Sequence, residues 1–197
     1  MILALEGIDG VGKTTTCKLL KEILLMRKVS RVEIIHDPNE NDSLGSFVRE
    51  KWKNNKEYKS SIWPLLFAAS SINSQNYLSS KNNDQFLILD RSSLSTYAYF
   101  WDICDPEWID VIHKEYVHPD LTILINLDTY SNLRRLINRG NEEAYKIEDI
   151  KRLKILYDKA CSYFLKKNVQ IEIVDISESA TPREVVDKVY ETIKKYL

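Results

Sequence analysis

The sequence has few of the residues that mark linkers, disulfide frameworks or membrane spans. Glycine and proline number 5 each in 197 residues, so low-complexity linkers are not expected. The 3 cysteines lie far apart, without a CxxC motif or a Cys/His cluster, so neither a disulfide framework nor a zinc site is indicated. No apolar run approaches the roughly 20 residues of a transmembrane helix. The apolar segment at the N-terminus is too short for a signal peptide and lacks the basic residues with which one begins.

An excess of charge of one sign is lacking too. Lys and Arg number 28 against 29 Asp and Glu, which gives a net charge of −1. This balance argues against broad electrostatic binding to nucleic acid or to an anionic membrane, although it leaves room for a local basic pocket. The hydrophobic share of 44% suits one sizeable core. We therefore expect one cytoplasmic domain over residues 1–197 that binds neither nucleic acid nor membrane.

Short β-branched segments alternate with longer amphipathic segments along the chain. The pattern predicts strands at 2–6, 32–36, 86–90, 121–126 and 169–175, and helices near 13–27, 43–53, 60–80, 105–116, 129–139, 149–167 and 181–196. The third and fourth strands are nearly all apolar, as in strands buried on both faces of a parallel sheet. The prediction is an α/β fold, a doubly wound five-stranded parallel sheet with helices on both faces. Ligands of such sheets bind at the carboxyl ends of the strands.

A glycine-rich segment follows the first predicted strand and precedes a helix. Its sequence, GIDGVGKT, fits the P-loop pattern G-x-x-x-x-G-K-[ST], in which backbone N–H groups and the helix N-terminus surround phosphates. Lys13 is predicted to reach the β- and γ-phosphates, and Thr14 to hold magnesium through its hydroxyl. The predicted nucleoside triphosphate-binding residues are Gly7, Ile8, Asp9, Gly10, Val11, Gly12, Lys13, Thr14 and Thr15.

Charged residues also follow the second and third strands. Asp90 directly after the third strand can bind magnesium or its waters, and Arg91 beside it can clamp a phosphate with two parallel hydrogen bonds. Asp37 after the second strand could face a phosphate acceptor, although Asp-Pro also commonly starts a turn. Three further residues, Ser95, Thr96 and Tyr99, lie at helical spacing and are predicted to face one pocket.

The P-loop alone does not separate switches, motors and kinases. No NKxD motif for guanine recognition is present in the sequence. A nucleic-acid-dependent motor would usually be larger and more basic. The remaining class is a small phosphotransferase, a P-loop kinase.

The motifs together resemble those of the thymidylate kinase family, over nearly the whole chain and in the same order. EGIDGVGKTT resembles the P-loop of that family, and HDP resembles its arginine-glutamate-proline element, with His36 and Asp37 as departures. LLFAAS resembles the helix whose phenylalanine stacks on thymine. DRSSLSTYAY matches the DR motif of the family and the helix after it. HPDLTILINLD resembles the proline-aspartate-leucine segment with which a strand of the family begins, and LRRLINRG resembles the start of its lid.

The resemblance implies ATP- and Mg²⁺-dependent phosphorylation of dTMP to dTDP in deoxynucleotide biosynthesis, by a homodimer with a short lid at about 139–149. It implies that Asp9 contacts the 3′-hydroxyl of the acceptor and that Tyr99 lies beneath its sugar. By the same resemblance Arg49 and Arg91 grip the acceptor phosphate and Phe67 stacks on the base. Ser95 and Thr96 fall where the family contacts the base. The catalytic residues expected on this basis are Asp9, Lys13, Asp90, Arg91 and, on the lid and ATP side, Arg135 and Arg139.

The sequence departs from the family at the base and in the P-loop. Ser71 occupies the position of an arginine that hydrogen-bonds the thymine carbonyl, and Phe100 replaces a glutamine of some members. The residue after Asp9 is Gly10, where some members place a catalytic arginine. The expected substrate-binding residues are Asp9, Asp37, Arg49, Phe67, Ser71, Arg91, Ser95, Thr96 and Tyr99.

Three other functions stay open on the sequence. A deoxynucleoside kinase has a similar fold, but it usually shows Glu-Arg-Ser where this chain has Asp90-Arg91-Ser92. A nucleoside monophosphate kinase of altered base specificity is compatible with Ser71. A nucleotide-binding regulator without turnover is opposed by the intact Lys13, Thr14 and Asp90.

Overall fold

The sheet has the predicted parallel architecture. The computed structural model describes residues 1–54, 58–75, 85–138 and 146–197. Within these ranges, the strands are β1 (Ile2–Glu6), β2 (Arg31–His36), β3 (Gln85–Asp90), β4 (Leu121–Leu127) and β5 (Ile171–Ile176). All neighbouring strands pair in parallel, in the order β2-β3-β1-β4-β5. The predicted fold class is therefore confirmed.

Helices connect the strands and cover the sheet. They are α1 (Lys13–Met26), α2 (Ser43–Asn54), α3 (Ile62–Ser74), α4 (Ser93–Phe100), α5 (Pro106–Ile112), α6 (Thr129–Ile137), α7 (Ile147–Lys166) and α8 (Pro182–Ile193), followed by a 3₁₀ turn at Lys194–Tyr196. Every residue of β1 and β3 is buried. Because alternate residues of a strand point to opposite faces, both faces of the central sheet must be covered. None of the helices in the described ranges is long and apolar enough to cross a membrane.

The helix ends follow local capping rules. Thr181 and Glu184 form a reciprocal capping box at the start of α8, with Pro182 at its first position. The helix predicted at 105–116 is wrong at its end, since α5 stops at Ile112 and the chain turns before the His118-Pro119 pair. After Ile112 the backbone forms turns, in which Lys114 N–H donates to the Val111 carbonyl and Tyr116 N–H to the His113 carbonyl, three residues back in place of four.

Two predicted segments fall partly outside the described residues. The predicted helix 60–80 is observed as α3, and residues 76–80 are not described. Residues 139–145 of the predicted lid 139–149 are also not described. Its last residues, from Ile147, belong to the first turn of α7. The prediction of a lid is not tested by the described residues.

Candidate active site

The candidate site lies at the edge of the sheet where three neighbouring strands end. Leu5 of β1 and His36 of β2 both pair in register with Asp90 of β3. The segments that follow these strands therefore meet at one place. They border a cavity of about 780 Å³. The predicted site residues that line it are Asp9, Gly10, Gly12, Lys13, Thr14, Thr15, Asp37, Arg49, Phe67, Asp90, Arg91, Ser95, Thr96 and Tyr99.

The P-loop owes its shape to its glycines. Gly7 has φ +135°, and a Cβ added there would lie 2.5 Å from the carbonyl oxygen of Ile125. Gly12 has φ +99°, which other residues rarely adopt, and it stands immediately before α1. The side chains of Ile8 and Val11 are buried in the core. Neither residue lines the cavity, so only their backbone N–H groups would be available to a phosphate.

Lys13 directs its ammonium group back onto the P-loop. Its Nζ donates to the carbonyl oxygens of Gly7 at 2.9 Å and Ile8 at 3.0 Å. Burial, together with the nearby Arg91, lowers the pKa of Lys13 to about 8. A buried ammonium with a lowered pKa gains from a neighbouring anion. A phosphate chain in the P-loop would supply that anion.

Asp90 and Thr14 provide oxygen donors suited to magnesium. Oδ2 of Asp90 accepts hydrogen bonds from the Thr14 hydroxyl at 2.5 Å and from Nδ1 of His36 at 3.1 Å. Burial alone would raise the pKa of Asp90, but the hydrogen bonds from His36 and Thr14 hold it below its ordinary value. Mg²⁺ usually takes one or two protein oxygens, with phosphates and water completing its shell. The Thr14 hydroxyl and the Asp90 carboxylate are oxygen groups of the kind that would suit such an ion. The described residues hold no cluster of three or more His, Cys, Asp or Glu ligands.

Arg91 joins the end of β3 to the P-loop. Its Nη2 donates to Oδ1 of Asp9, and its Nη1 donates to the hydroxyls of Ser95 at 2.9 Å and Tyr157 at 3.1 Å. The guanidinium carbon lies 5.6 Å from the ring centroid of Tyr99. Arg91 has φ +78°, a conformation that non-glycine residues adopt mainly at constrained sites. The side chain is therefore held in place from several directions.

Beneath Arg91 lies a fully buried carboxylate that sequence reasoning missed. Glu6, at 0% exposure, accepts hydrogen bonds from the backbone N–H groups of Ser92 at 2.7 Å and Ser95 at 3.2 Å. It also accepts from both serine hydroxyls, at 2.8 and 2.7 Å, and from Tyr157 at 3.2 Å. The available signal was an acidic residue at the end of an apolar strand. Glu6 thereby fixes the start of α4 against the P-loop strand.

The other end of the cavity is aromatic. Trp52 of α2 lies edge-on to Phe67 and Phe100, with centroid distances of 5.3 and 5.9 Å, and all three line the cavity. Sequence reasoning missed Trp52, because a tryptophan on an amphipathic helix looks like a core residue. Arg49, one turn earlier on α2, forms an ion pair with Glu40. An arginine and a flat apolar surface thus stand side by side.

Ser71, expected at the base, does not line the cavity, and it contacts Asp37, which does. Ser71 is 1% exposed and is absent from the cavity wall; its hydroxyl donates to Oδ2 of Asp37 at 2.6 Å. Asp37 lines the cavity, and its Oδ1 is buried without a hydrogen-bond partner among the described residues. Burial raises the pKa of Asp37 to about 7, and the hydrogen bond from Ser71 offsets this only in part.

Arg135, predicted for the lid and ATP side, lies away from the residues that line the cavity. Arg135 donates through Nη2 to the carbonyl oxygens of Ser177, Glu178 and Ala180, at 3.3, 2.9 and 3.2 Å. Arg139 lies outside the described residues.

Comparisons with known proteins place the chain in a family. The thymidylate kinase family model matches residues 5–189. A probable thymidylate kinase of Methanosphaera stadtmanae is 34% identical over 203 residues, which cover 100% of this chain and 99% of the relative. A probable thymidylate kinase of Sulfolobus acidocaldarius is 30% identical, with coverage of 100% and 97%. The chain therefore belongs to the thymidylate kinase family of phosphotransferases, whose reaction is the phosphorylation of dTMP in nucleotide biosynthesis.

Proposed function

We propose that this member of the family transfers the γ-phosphoryl group of ATP to the 5′-phosphate of dTMP, giving ADP and dTDP. The observation that carries the proposal is that one cavity is lined both by Gly12 of the P-loop and by Arg49 and Phe67. A phosphate-binding loop at one end and an arginine beside an aromatic wall at the other suit two nucleotides that meet through their phosphates. Phosphoryl transfer depends mainly on such positioning and on charge neutralisation.

The donor side is proposed to consist of the P-loop, residues 7–15, and the start of α1. Backbone N–H groups of the loop would surround the β- and γ-phosphates of ATP. Lys13 would exchange its carbonyl partners for phosphate oxygens and neutralise charge that develops during transfer. Thr14 and Asp90 would hold Mg²⁺, which supplies charge neutralisation at the phosphates when it is bound.

The acceptor side is proposed to begin where Arg91 meets Asp9. Arg91, already held by Ser95 and Tyr157, would present its guanidinium to the 5′-phosphate of dTMP, and Arg49 would reach the same phosphate from α2. Asp9 would accept a hydrogen bond from the 3′-hydroxyl. Tyr99, Phe67, Ser95 and Thr96, all at the cavity wall, would contact the sugar and base.

A lid is proposed to complete the donor side. Gly10 supplies no charge at the P-loop position where some family members carry arginine. Arg135 and Arg139 are the candidates to replace that charge, with the lid at about 139–149. Arg135 would have to leave the carbonyl groups of loop 177–180 to do so. Closure of such a segment would also exclude water from the transferring group.

We also propose that the chain acts as one cytoplasmic domain over residues 1–197 and forms a homodimer. The dimer is proposed from the resemblance to the family, and α3, on which Leu65 is 44% exposed, is the helix expected to supply part of the interface. Sedimentation of the purified protein would test the dimer directly, and a monomer at micromolar concentration would contradict it.

One assay tests the proposed reaction against its alternatives. ADP release is measured with ATP and Mg²⁺ over a panel of dTMP, dUMP, dCMP, dAMP, dGMP and thymidine, with Lys13→Ala as the control for contaminating kinases. We expect dTMP to turn over fastest and EDTA to abolish activity. Phosphorylation of thymidine but not of dTMP would identify a nucleoside kinase. A preference for a monophosphate other than dTMP would identify altered base specificity. Nucleotide binding without any turnover would identify a regulator.

A further inference from the structure

Asp37 is the polar side chain of the acceptor end whose bonding is incomplete. Its Oδ2 is occupied by the Ser71 hydroxyl at 2.6 Å. Its Oδ1 has no hydrogen-bond partner among the described residues, although the atom is buried and the residue lines the cavity. Buried carboxylate oxygens are nearly always paired, and leaving one unpaired is costly. A donor supplied by the ligand would complete the site.

The surroundings of Asp37 point to the base of the acceptor as the source of that donor. The cavity wall also carries Phe67, Phe100 and Trp52, which form a mutually contacting aromatic set. Phe67 lies one turn before Ser71, the partner of Asp37, on α3. Such a surface stacks a flat ring, but it offers no acceptor for an N–H group, since the indole nitrogen of Trp52 is a donor only. Thymine joined to its sugar has one N–H group, at N3, so an acceptor that reads thymine must meet that group.

We propose that Asp37 reads the acceptor base by accepting a hydrogen bond from thymine N3–H at Oδ1, and that Ser71 is a positioning residue which acts through Asp37. The proposal rests on the proposed function and names the specificity contact within it. Ser71 does not line the cavity, so its hydroxyl reaches the base site only by fixing the carboxylate. A pocket built this way disfavours bases that lack an N–H at this point, because Oδ1 is then left unpaired.

The first test compares dTMP with N3-methyl-dTMP, which lacks the N3–H group. Dissociation constants are measured at pH 8 by quenching of tryptophan fluorescence, for the natural protein and for Asp37→Ala. The natural protein is expected to bind the methylated ligand at least about 10-fold more weakly, as for a lost hydrogen bond to a charged group. Asp37→Ala should bind dTMP about 10-fold more weakly than the natural protein does. Its dissociation constants for dTMP and N3-methyl-dTMP should differ by less than about 3-fold. A gap of equal size in both proteins would overturn the proposal.

The second test asks whether Ser71 acts through Asp37. Ser71→Ala should raise KM for dTMP about 3- to 10-fold with kcat nearly unchanged, and Ser71→Thr should restore it because it keeps the hydroxyl. The double variant Asp37→Ala/Ser71→Ala should have the same KM for dTMP as Asp37→Ala alone, because Ser71 acts only through Asp37. Ser74→Ala is the matched control, since Ser74 is buried on the same helix and its hydroxyl donates to the Ser70 carbonyl at 2.9 Å.

The two failures are distinguishable. If the natural protein phosphorylates no monophosphate, the proposed function fails. If it phosphorylates dTMP while the effects of Asp37→Ala and Ser71→Ala simply add, or while Ser74→Ala raises KM equally, the assignment of Asp37 and Ser71 fails alone. Circular dichroism of each variant establishes that it is folded before its constants are compared.

Discussion

Arg91 donates a hydrogen bond through Nη2 to the carboxylate of Asp9, so the residue after β3 is tied directly to the P-loop. Tyr99 contacts both members of the pair: its ring centroid lies 5.6 Å from the guanidinium carbon of Arg91, and its hydroxyl donates to Oδ2 of Asp9 at 3.5 Å. Lys13 lines the same cavity. Phosphoryl transfer in this cavity would take place across the pair. Its two members have opposite charge, and each would also contact the acceptor in the proposed reaction.

Replacing Arg91 with alanine should therefore raise KM for dTMP more than KM for ATP. A methyl group cannot replace a guanidinium–phosphate contact made by two parallel hydrogen bonds. We expect KM for dTMP to rise at least about 10-fold and KM for ATP to change by less than about 3-fold. Arg91→Lys should recover only part of the loss, because lysine lacks the planar fork. Steady-state kinetics with each substrate varied at saturation of the other supplies the comparison.

Arg183→Ala serves as the control for loss of positive charge, since Arg183 is an exposed residue of α8 whose ion pair is with Asp187. It should leave both KM values unchanged. An equal rise in KM for dTMP and KM for ATP in Arg91→Ala would show that Arg91 does not read the acceptor phosphate.

Lys13→Ala should abolish most of the activity while leaving the fold intact. Removing a cation aimed at transition-state charge costs about 3–4 kcal/mol, or a factor of about 10²–10³ in kcat. The loss of two hydrogen bonds to P-loop carbonyls is partly offset, because a buried ammonium with a pKa near 8 is itself costly. Calorimetry should show a melting temperature within a few degrees of the original. Lys18→Ala, an exposed lysine on the same helix, should retain full activity.

Glu6→Gln should destabilise the protein. The glutamate accepts two backbone N–H and three hydroxyl hydrogen bonds in a fully buried site. An uncharged amide has one acceptor oxygen in place of two and weakens charge-assisted hydrogen bonds. We expect a loss of about 1–3 kcal/mol in the free energy of unfolding, which lowers Tm by about 3–10 °C in a domain of this size.

Glu22→Gln on the exposed face of α1 is the matched control and should shift Tm by less than about 2 °C. A Glu6→Gln variant as stable as the original in thermal and urea unfolding would show that the buried network does not depend on the charge of Glu6.

The parts of the site that sequence could locate are those set by local backbone chemistry. Lys13 follows β1 within a short segment and Asp90 is the last residue of β3, and the parallel order of the strands brings their ends together. The bond between Ser71 and Asp37 could not be located in this way. It depends on how α3 packs over the end of β2 and on which rotamer the serine adopts, and no periodic pattern encodes either.

Long-range polar networks were missed for a similar reason. Glu6 and Tyr157 lie 151 positions apart in the chain yet share a hydrogen bond. On the sequence, one is an acid that ends a strand and the other is an aromatic residue on an amphipathic helix. Only the packing of α7 against α4 shows that the tyrosine hydroxyl points inward toward Arg91.

Stability in acid is expected to depend on His113, a buried histidine that does not line the cavity. His113 is 3% exposed, its Nδ1 donates to the Ile109 carbonyl at 3.0 Å, and its Nε2 has no hydrogen-bond partner in the described part of the chain. Burial lowers its pKa from 6.5 to about 4. As the pH falls through 6.5, the unfolded chain gains a proton at this residue that the folded protein resists. Stability contributed by the neutral imidazole is therefore lost between about pH 6.5 and pH 4.

His113→Phe removes this titration and keeps a ring that can pack between Tyr97 and Tyr116. Urea unfolding at pH 7.5 and pH 4.5 measures the effect for both proteins. The original should lose about 2–3 kcal/mol more than the variant between the two pH values, from a pKa difference of about 2.5. At pH 7.5 the histidine is neutral in both states, so any difference there reports packing alone. Equal losses on acidification would mean that His113 gains its proton as readily in the folded protein as in the unfolded chain.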